Sequence, residues 1–329
     1  MNKIIGFENE FELISKNLLN NNLNNSILIT GNKGIGKFYF TIKIIDEYLN
    51  SKIKSDEINH HLLLLNNESH PNIKILKKLN DEKINKVKNN ITIDQVRELN
   101  NFSRETSLIE NIPKFIIIDS VDDLNSNSSN ALLKILEEPK NNTYFFLISH
   151  QPSSLLSTIK SRCIKLNLPS HNYNNFKKIL LSQNLSSDEE LFKFLFDITD
   201  GSPGLSFDFH FDEILDVFKQ LIFSITDIDS NSADNNNITF FLASLENEKF
   251  RIYLSLIKFI LIILKKIKIG INITNIYFSR NILEIEKFSD KISLNTIDKK
   301  FDYLINNQND LFTFNLDKKL FMINFFAKI

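Results

Sequence analysis

Apolar positions in the first half of this chain change their spacing every ten to fifteen residues, and each change marks an element. Residues 8–19 place Phe11, Ile14 and Leu18 at helical spacing, and the polar run Asn20–Asn25 then predicts a loop. Ser26-Ile27-Leu28-Ile29-Thr30 is a short apolar strand that leads straight into a glycine loop, after which residues 38–49 return to a helical period. Residues 62–65 and 73–76, on either side of His70-Pro71, read as short strands, followed by a lysine-rich polar stretch from Lys74 to Lys88. A helix is predicted over Ile93–Arg104 with Val96 and Leu99 inward, then a strand over 114–119. Asn125 or Ser126 caps the next helix, whose Ala131, Leu132, Leu133, Ile135 and Leu136 face inward until Pro139 stops it. Tyr144–Ser149 reads as a strand and Ser153–Ser161 as a helix.

Strands alternating with helices imply a parallel sheet covered on both faces, with ligands bound at the carboxyl ends of the strands. After Pro169 the pattern changes to short amphipathic helices over Tyr173–Gln183, Asp188–Thr199 and Pro203–Leu215, and beyond residue 208 the apolar spacing is helical throughout. The expected organisation is an α/β domain over 1–168, a small helical lid over 169–207 and an all-α C-terminal domain over 208–329. The most apolar segment, Ile252–Ile269, is broken by Lys258, Lys265, Lys266 and Lys268. It falls short of the ~20 apolar residues of a membrane span and reads as a buried helix. Met1–Gly6 has neither the apolar run nor the cleavage site of a signal peptide, so no export is expected.

Composition sharpens two points. The chain has 7 glycines among 329 residues, against about 23 at average usage, so those retained are informative. Three lie in residues 31–36 and two in Gly201-Ser202-Pro203-Gly204, where the backbone needs positive φ or close approach to a ligand. A net charge of −1 gives no whole-molecule field, so any nucleic-acid contact needs a local basic face. The single cysteine, Cys163, excludes an internal disulfide and fits a reducing cytoplasm. His60, His61 and His70 lack zinc-ligand spacing and read as surface or turn histidines, so no metal held by protein ligands is expected.

Gly31-Asn32-Lys33-Gly34-Ile35-Gly36-Lys37 has the G-x-x-x-x-G-K spacing of a phosphate cradle, with strand before and helix after. In such a loop backbone amides hold phosphates, the lysine reaches the outer phosphates and the next hydroxyl ligates magnesium. Here that next residue is Phe38, which has no oxygen to give. Asp119, at the end of an apolar strand, could hold magnesium through water, yet Ser120 stands where a hydrolytic carboxylate is needed. Loss of a general base lowers rates by about 10²- to 10⁴-fold. Asp122 or Asp123 could substitute, although an acidic start also suits the following helix. ATP or ADP binding at this site is therefore expected to be weak or absent. Arg162, in Ser161-Arg162-Cys163, is either a structural arginine or a finger offered to another subunit's nucleotide.

Asp94-Gln95-Val96-Arg97-Glu98-Leu99, Asp119–Asn125, Asn130–Pro139 and Ser161-Arg162-Cys163 resemble motifs of the delta-prime family of bacterial DNA polymerase III clamp-loader subunits, an AAA+ branch. The likeness extends more weakly to Gly31–Lys37, His70-Pro71 and Gly201–Gly204. It implies an AAA+ RecA-like sheet domain, a lid and a helical oligomerisation collar. It also implies a non-hydrolysing stator that supplies Arg162 in trans during DNA replication, while Gly31, Gly34, Gly36, Lys37 and Asp119 remain as a degenerate nucleotide site. The implied partners are gamma or tau motor subunits and a delta subunit, with the sliding clamp and primer-template DNA reached through the complex, in the cytoplasm and without a membrane. Gly204 stands where motor subunits carry a sensor arginine. The four cysteines of the zinc module of many relatives are missing, so no structural zinc is expected. The lysines at 74, 77, 78, 83, 86 and 88 could touch DNA, but a solvated loop is the simpler reading. The alternatives are an ATP-hydrolysing gamma- or tau-type motor, which needs the missing base and hydroxyl, and a nucleotide-sensing adaptor outside any polymerase.

Overall fold

The computed structural model describes residues 4–81, 86–87, 90–107, 109, 111–139, 142–183, 188–207, 211–226, 233–271, 282–314 and 316–327. They form two compact units, Met1–Asn175 and Phe176–Ile329.

In the first unit the elements run α1 (Glu8–Leu19), β1 (Ser26–Thr30), α2 (Lys37–Lys52), α3 (Ser55–Asn66), β2 (Ile73–Leu76), β3 (Asn80–Asp81), β4 (Lys86–Val87), α4 (Ile93–Arg104), β5 (Lys114–Asp119), α5 (Ser126–Glu137), β6 (Thr143–Ser149), α6 (Ser157–Lys160) and β7 (Ile164–Asn167). Among the described residues β2, β5, β6, β1 and β7 lie side by side in that order, and every pairing is parallel. The central strands are apolar runs rather than alternating ones because both faces are covered. Ile27, Ile29, Phe115, Ile117, Phe146 and Ile148 point into a core shared with Phe40, Ile44 and Leu49 of α2. Their neighbours Leu28, Ile116, Ile118, Phe145 and Leu147 point the other way, onto Val96 and Leu99 of α4 and Leu132 and Ile135 of α5. The period of two along each strand thus sorts one sequence into two cores.

Three stretches depart from the sequence expectation. Residues 62–65 are not a strand but the end of α3, because His61 and Leu65, four residues apart, are the buried positions and Ile58 joins them at helical spacing. The expected helix over 153–161 shrinks to the single turn of α6, since residues 151–154 close a tight turn in which Ser154 N donates to Gln151 O at 3.0 Å. An edge strand absent from the expectation, β7, pairs with β1 and is largely exposed. Within the lysine-rich stretch β3 and β4 form a short antiparallel pair. Lys77 is ion-paired with Glu68 at 2.6 Å and Lys78 with Asp123 at 3.0 Å, while Lys83 and Lys88 lie outside the described residues.

The second unit is helical among its described residues: α7 (Tyr173–Ser182), which crosses the unit boundary, then α8 (Glu189–Thr199), α9 (Pro203–Ser206), α10 (Phe211–Thr226), α11 (Ala233–Ser244), α12 (Asn247–Lys268), α13 (Ile282–Asp290), α14 (Leu294–Thr313) and α15 (Lys318–Phe326). The 22-residue α12 is its axis, with Leu254, Ile257, Leu261 and Leu264 fully buried. Phe194 of α8 meets Phe218 of α10 and Phe259 of α12 edge-on at 6.3 and 5.6 Å, so residues expected in the lid share a core with those expected in the collar. No helix among the described residues is long and apolar enough to cross a membrane.

Candidate functional site

The carboxyl ends of β1, β6 and β5 are level, since Thr30 pairs with Ser149 and Asp119 with Ile148. The glycine loop and Asp119 therefore emerge on the same rim, about 10 Å apart with β6 between them. Gly31 has φ +146°, and a Cβ there would fall 2.3 Å from Leu168 O, so a side chain at this position would push away the segment that leaves β7. That segment wraps the loop. Leu168 N donates to Thr30 O at 2.8 Å, Asn32 Nδ2 to Ser170 Oγ at 3.0 Å, and His171 Nε2 to Ile35 O at 2.9 Å. His171, which no motif or spacing singles out, is buried beside Phe7, and burial holds its pKa below the ordinary value. Gly36, at φ 96°, turns the chain left-handed into α2.

Lys37 is buried and folds back on its own loop, donating to Gly31 O at 2.7 Å and Asn32 O at 2.6 Å. Burial pulls its pKa down to about 8, against the opposing attraction of Asp119 and Asp122. Asp119 is pushed up by the same burial, and Lys37 only partly offsets it. Phe38 is partly buried and packs against the core on the α2 face of the sheet.

The carboxylates beyond Asp119 have other duties. Asp122 accepts from Ser149 Oγ at 2.8 Å and from the backbone N–H groups of His150 and Gln151, which fastens the turn after β5 to the end of β6. Asp123 accepts from Ser120 Oγ at 2.9 Å and pairs with Lys78 at 3.0 Å. Both are held by partners within the chain, and Ser120 itself is buried. Among the described residues no group of three or more His, Cys, Asp or Glu side chains is gathered to hold a metal ion. His61 and His70 do meet, ring nitrogen to ring nitrogen at 3.0 Å. Because Asn72 N donates to His70 Nδ1, the His70 proton sits on Nε2 and faces His61, and burial lowers the His70 pKa to about 4.

Arg162 is remote from this rim. Ile164, two residues on, pairs with Ile27 at the amino end of β1, so the five residues of β1 separate Arg162 from the glycine loop by roughly 16 Å. Its side chain is 32% exposed, with Nη2 donating to Glu137 Oε1 at 2.6 Å and Nη1 to Thr158 O at 2.9 Å. The sequence held a signal for Glu137. A carboxylate in the last turn of a helix meets the negative end of the dipole, where a cation is favoured, and Glu137 ends α5 beside Glu138. Neighbouring Cys163 is raised by burial to about 11, which leaves it a thiol.

The chain is similar to DNA polymerase III subunits. Over 79 residues it is 47% identical to DNA polymerase III subunit delta' of Pseudomonas aeruginosa, covering 24% of each chain. Over 172 residues it is 28% identical to the delta' subunit of Buchnera aphidicola subsp. Baizongia pistaciae, covering 50% of each. A DNA polymerase III subunit gamma of Buchnera aphidicola subsp. Schizaphis graminum is 30% identical over 205 residues, which are 61% of this chain and 54% of that one. The chain thus aligns with a quarter to a half of the length of these delta' relatives. The family described as DNA polymerase III, delta subunit, matches residues 7–172, which is 166 of the 329 residues. The phosphate-loop rim, the Asp119 strand end and the Arg162 turn all lie within that match, and the chain belongs to this family.

Proposed function

We propose that this chain is the non-hydrolysing stator, or delta-prime, subunit of a DNA polymerase III clamp loader, and that it lends Arg162 to ATP bound on a neighbouring motor subunit. The observation that carries the reading is the placement of Arg162: about a third exposed, and a full strand length from the chain's own glycine loop. A guanidinium so placed serves a site outside the chain more readily than one within it. Its charge would stabilise the negative charge that builds on a transferring phosphoryl group, an effect of 10³- to 10⁵-fold in known cases.

The chain's own rim does not fit a hydrolytic magnesium–nucleotide site. Gly31, Gly34 and Gly36 provide a backbone cradle, but Phe38 has no hydroxyl for magnesium and packs against the core, Lys37 is tied to loop carbonyls and Ser120 offers no carboxylate. ATP or ADP would find phosphate contacts there and no base. Gamma or tau motor subunits and a delta subunit are the proposed partners, with the clamp and primed DNA engaged through the assembly in the cytoplasm.

The test is DNA-stimulated ATP turnover of the reconstituted assembly with Arg162→Ala in this chain. Hydrolysis at the motor site next to it is expected to fall by ~10³-fold or more, and an unchanged rate at that site removes the finger role. The likeness to a gamma subunit favours one rival, an active motor. For that rival the isolated chain would turn over ATP in a way that Lys37→Ala abolishes, whereas the stator shows only background hydrolysis.

A further inference from the structure

Glu137 has no part in the phosphate rim, yet it makes the shortest charged contact of Arg162. The guanidinium has five N–H donors, and two are engaged within the described residues, by Glu137 Oε1 at 2.6 Å and Thr158 O at 2.9 Å. That leaves three. A planar fork fixed at both terminal nitrogens has its plane set while keeping donors for a ligand.

The backbone explains why those two acceptors are dependable. Glu137 is the last residue of α5, whose inner face is locked by Leu132, Ile135 and Leu136, and Thr158 belongs to the turn of α6, anchored by buried Ile159. Both acceptors are thus carried by packed elements of the same unit, while the guanidinium between them stays about a third exposed. The carboxylate itself is 49% exposed, so the ion pair is screened by water and can yield to a more highly charged acceptor. A fully buried pair would trap the arginine instead.

We infer that Glu137 is a positioning residue for Arg162: it sets the plane and reach of the guanidinium before a neighbouring triphosphate arrives, with Thr158 O as the second fixed point. This rests on the proposed trans role of Arg162. It assigns a reason for the carboxylate at an electrostatically unfavourable helix end. Without Glu137 the arginine would sample many rotamers, and a misplacement of about 1 Å can lower a rate as much as 10²-fold.

The experiment compares Glu137→Ala, Glu137→Gln, Arg162→Ala and the double variant Glu137→Ala/Arg162→Ala in the reconstituted clamp loader. The readouts are kcat and KM for DNA-stimulated ATP hydrolysis at the adjoining motor site. Glu137→Ala is expected to lower kcat about tenfold with KM little changed, Glu137→Gln to restore most of the loss because it keeps the acceptor, and the double variant to equal Arg162→Ala. Normal kcat in Glu137→Ala beside a defective Arg162→Ala overturns the positioning role alone. A normal rate in Arg162→Ala overturns the finger reading itself. A double variant well below Arg162→Ala shows that Glu137 acts through something else and likewise overturns the inference. Thermal melting of each variant separates these outcomes from misfolding, and the half-exposed Glu137 is expected to leave the melting temperature near that of the wild type when replaced.

Discussion

Three buried lysines close different parts of the fold in one way, each donating its amine to backbone carbonyls. Lys114 is buried under Phe102 and donates to Phe102 O and Glu105 O, which closes the carboxyl end of α4. Lys37 does the same within the glycine loop. Lys300, 4% exposed, donates to Phe325 O at 2.7 Å with its amine 5.0 Å from the Phe325 ring, and so pins α14 to the end of α15. Burial lowers its pKa from 10.5 to about 8. The unfolded chain keeps that proton up to its ordinary pKa, whereas the folded chain sheds it near 8. Across that window the unfolded state binds more protons, so stability rises with pH. The full rise is on the order of 3 kcal/mol for a shift of this size, and Lys37, also near 8, contributes in the same window. The stability that urea unfolding gives the wild type should therefore rise from pH 8 to 10 relative to that of Lys300→Met, in which this contribution is absent. Equal slopes would mean that the Lys300 amine is not desolvated.

At the level of elements, legibility followed how completely local pattern decides structure. β1, α4 and β5 fall on the residues expected, because an apolar run between polar loops or a clean helical stripe admits one solution. Leu62–Leu65 admits two, since four adjacent leucines carry no period, and the decision came from burial at His61 and Leu65. β7 has one half-buried position among exposed ones, so it is a strand only because β1 offers an unpaired edge. The phosphate cradle was legible by spacing, but the pairing of Arg162 with Glu137 was not, as it joins residues 25 positions apart on different elements. Local capping is the opposite case. Thr92 Oγ1 accepts from Gln95 N at 3.4 Å while Gln95 Oε1 accepts from Thr92 N at 3.0 Å, a reciprocal box that starts α4. Thr92→Ala should lower stability by about 1 kcal/mol and Thr92→Ser by less, read as a shift in the urea midpoint at constant m value. No shift in Thr92→Ala would show that packing of Val96 and Leu99 alone fixes the helix start.

For the whole molecule, the proposed role needs a surface that joins this chain to others, and the second unit offers an unusual one. α11 and α15 pack on one another, and each mixes apolar side chains with polar ones such as Asn235–Asn237 of α11 and Lys318 and Lys319 of α15. Large apolar side chains nevertheless face outward here: Phe240 of α11 is 55% exposed and Leu320 of α15 58%, with Ile323 at 44%. The amine of Lys319 lies 4.0 Å from the Phe240 ring, which covers part of that face without burying it. Apolar surface of this kind on a folded chain marks an interaction site or an aggregation hazard, and in the proposed assembly it is where the collar would meet its neighbours. Phe240→Asp separates these cases, because the ring is exposed and its loss should cost the isolated chain little stability. The expected result is a variant with a near-normal melting temperature that no longer co-elutes with motor and delta subunits in size-exclusion chromatography. Its Arg162 would then have no ATP to meet, and DNA-stimulated turnover would fall together with assembly. A Phe240→Asp chain that assembles normally would move the collar interface away from the α11–α15 pair and leave those exposed side chains without a role in the ring.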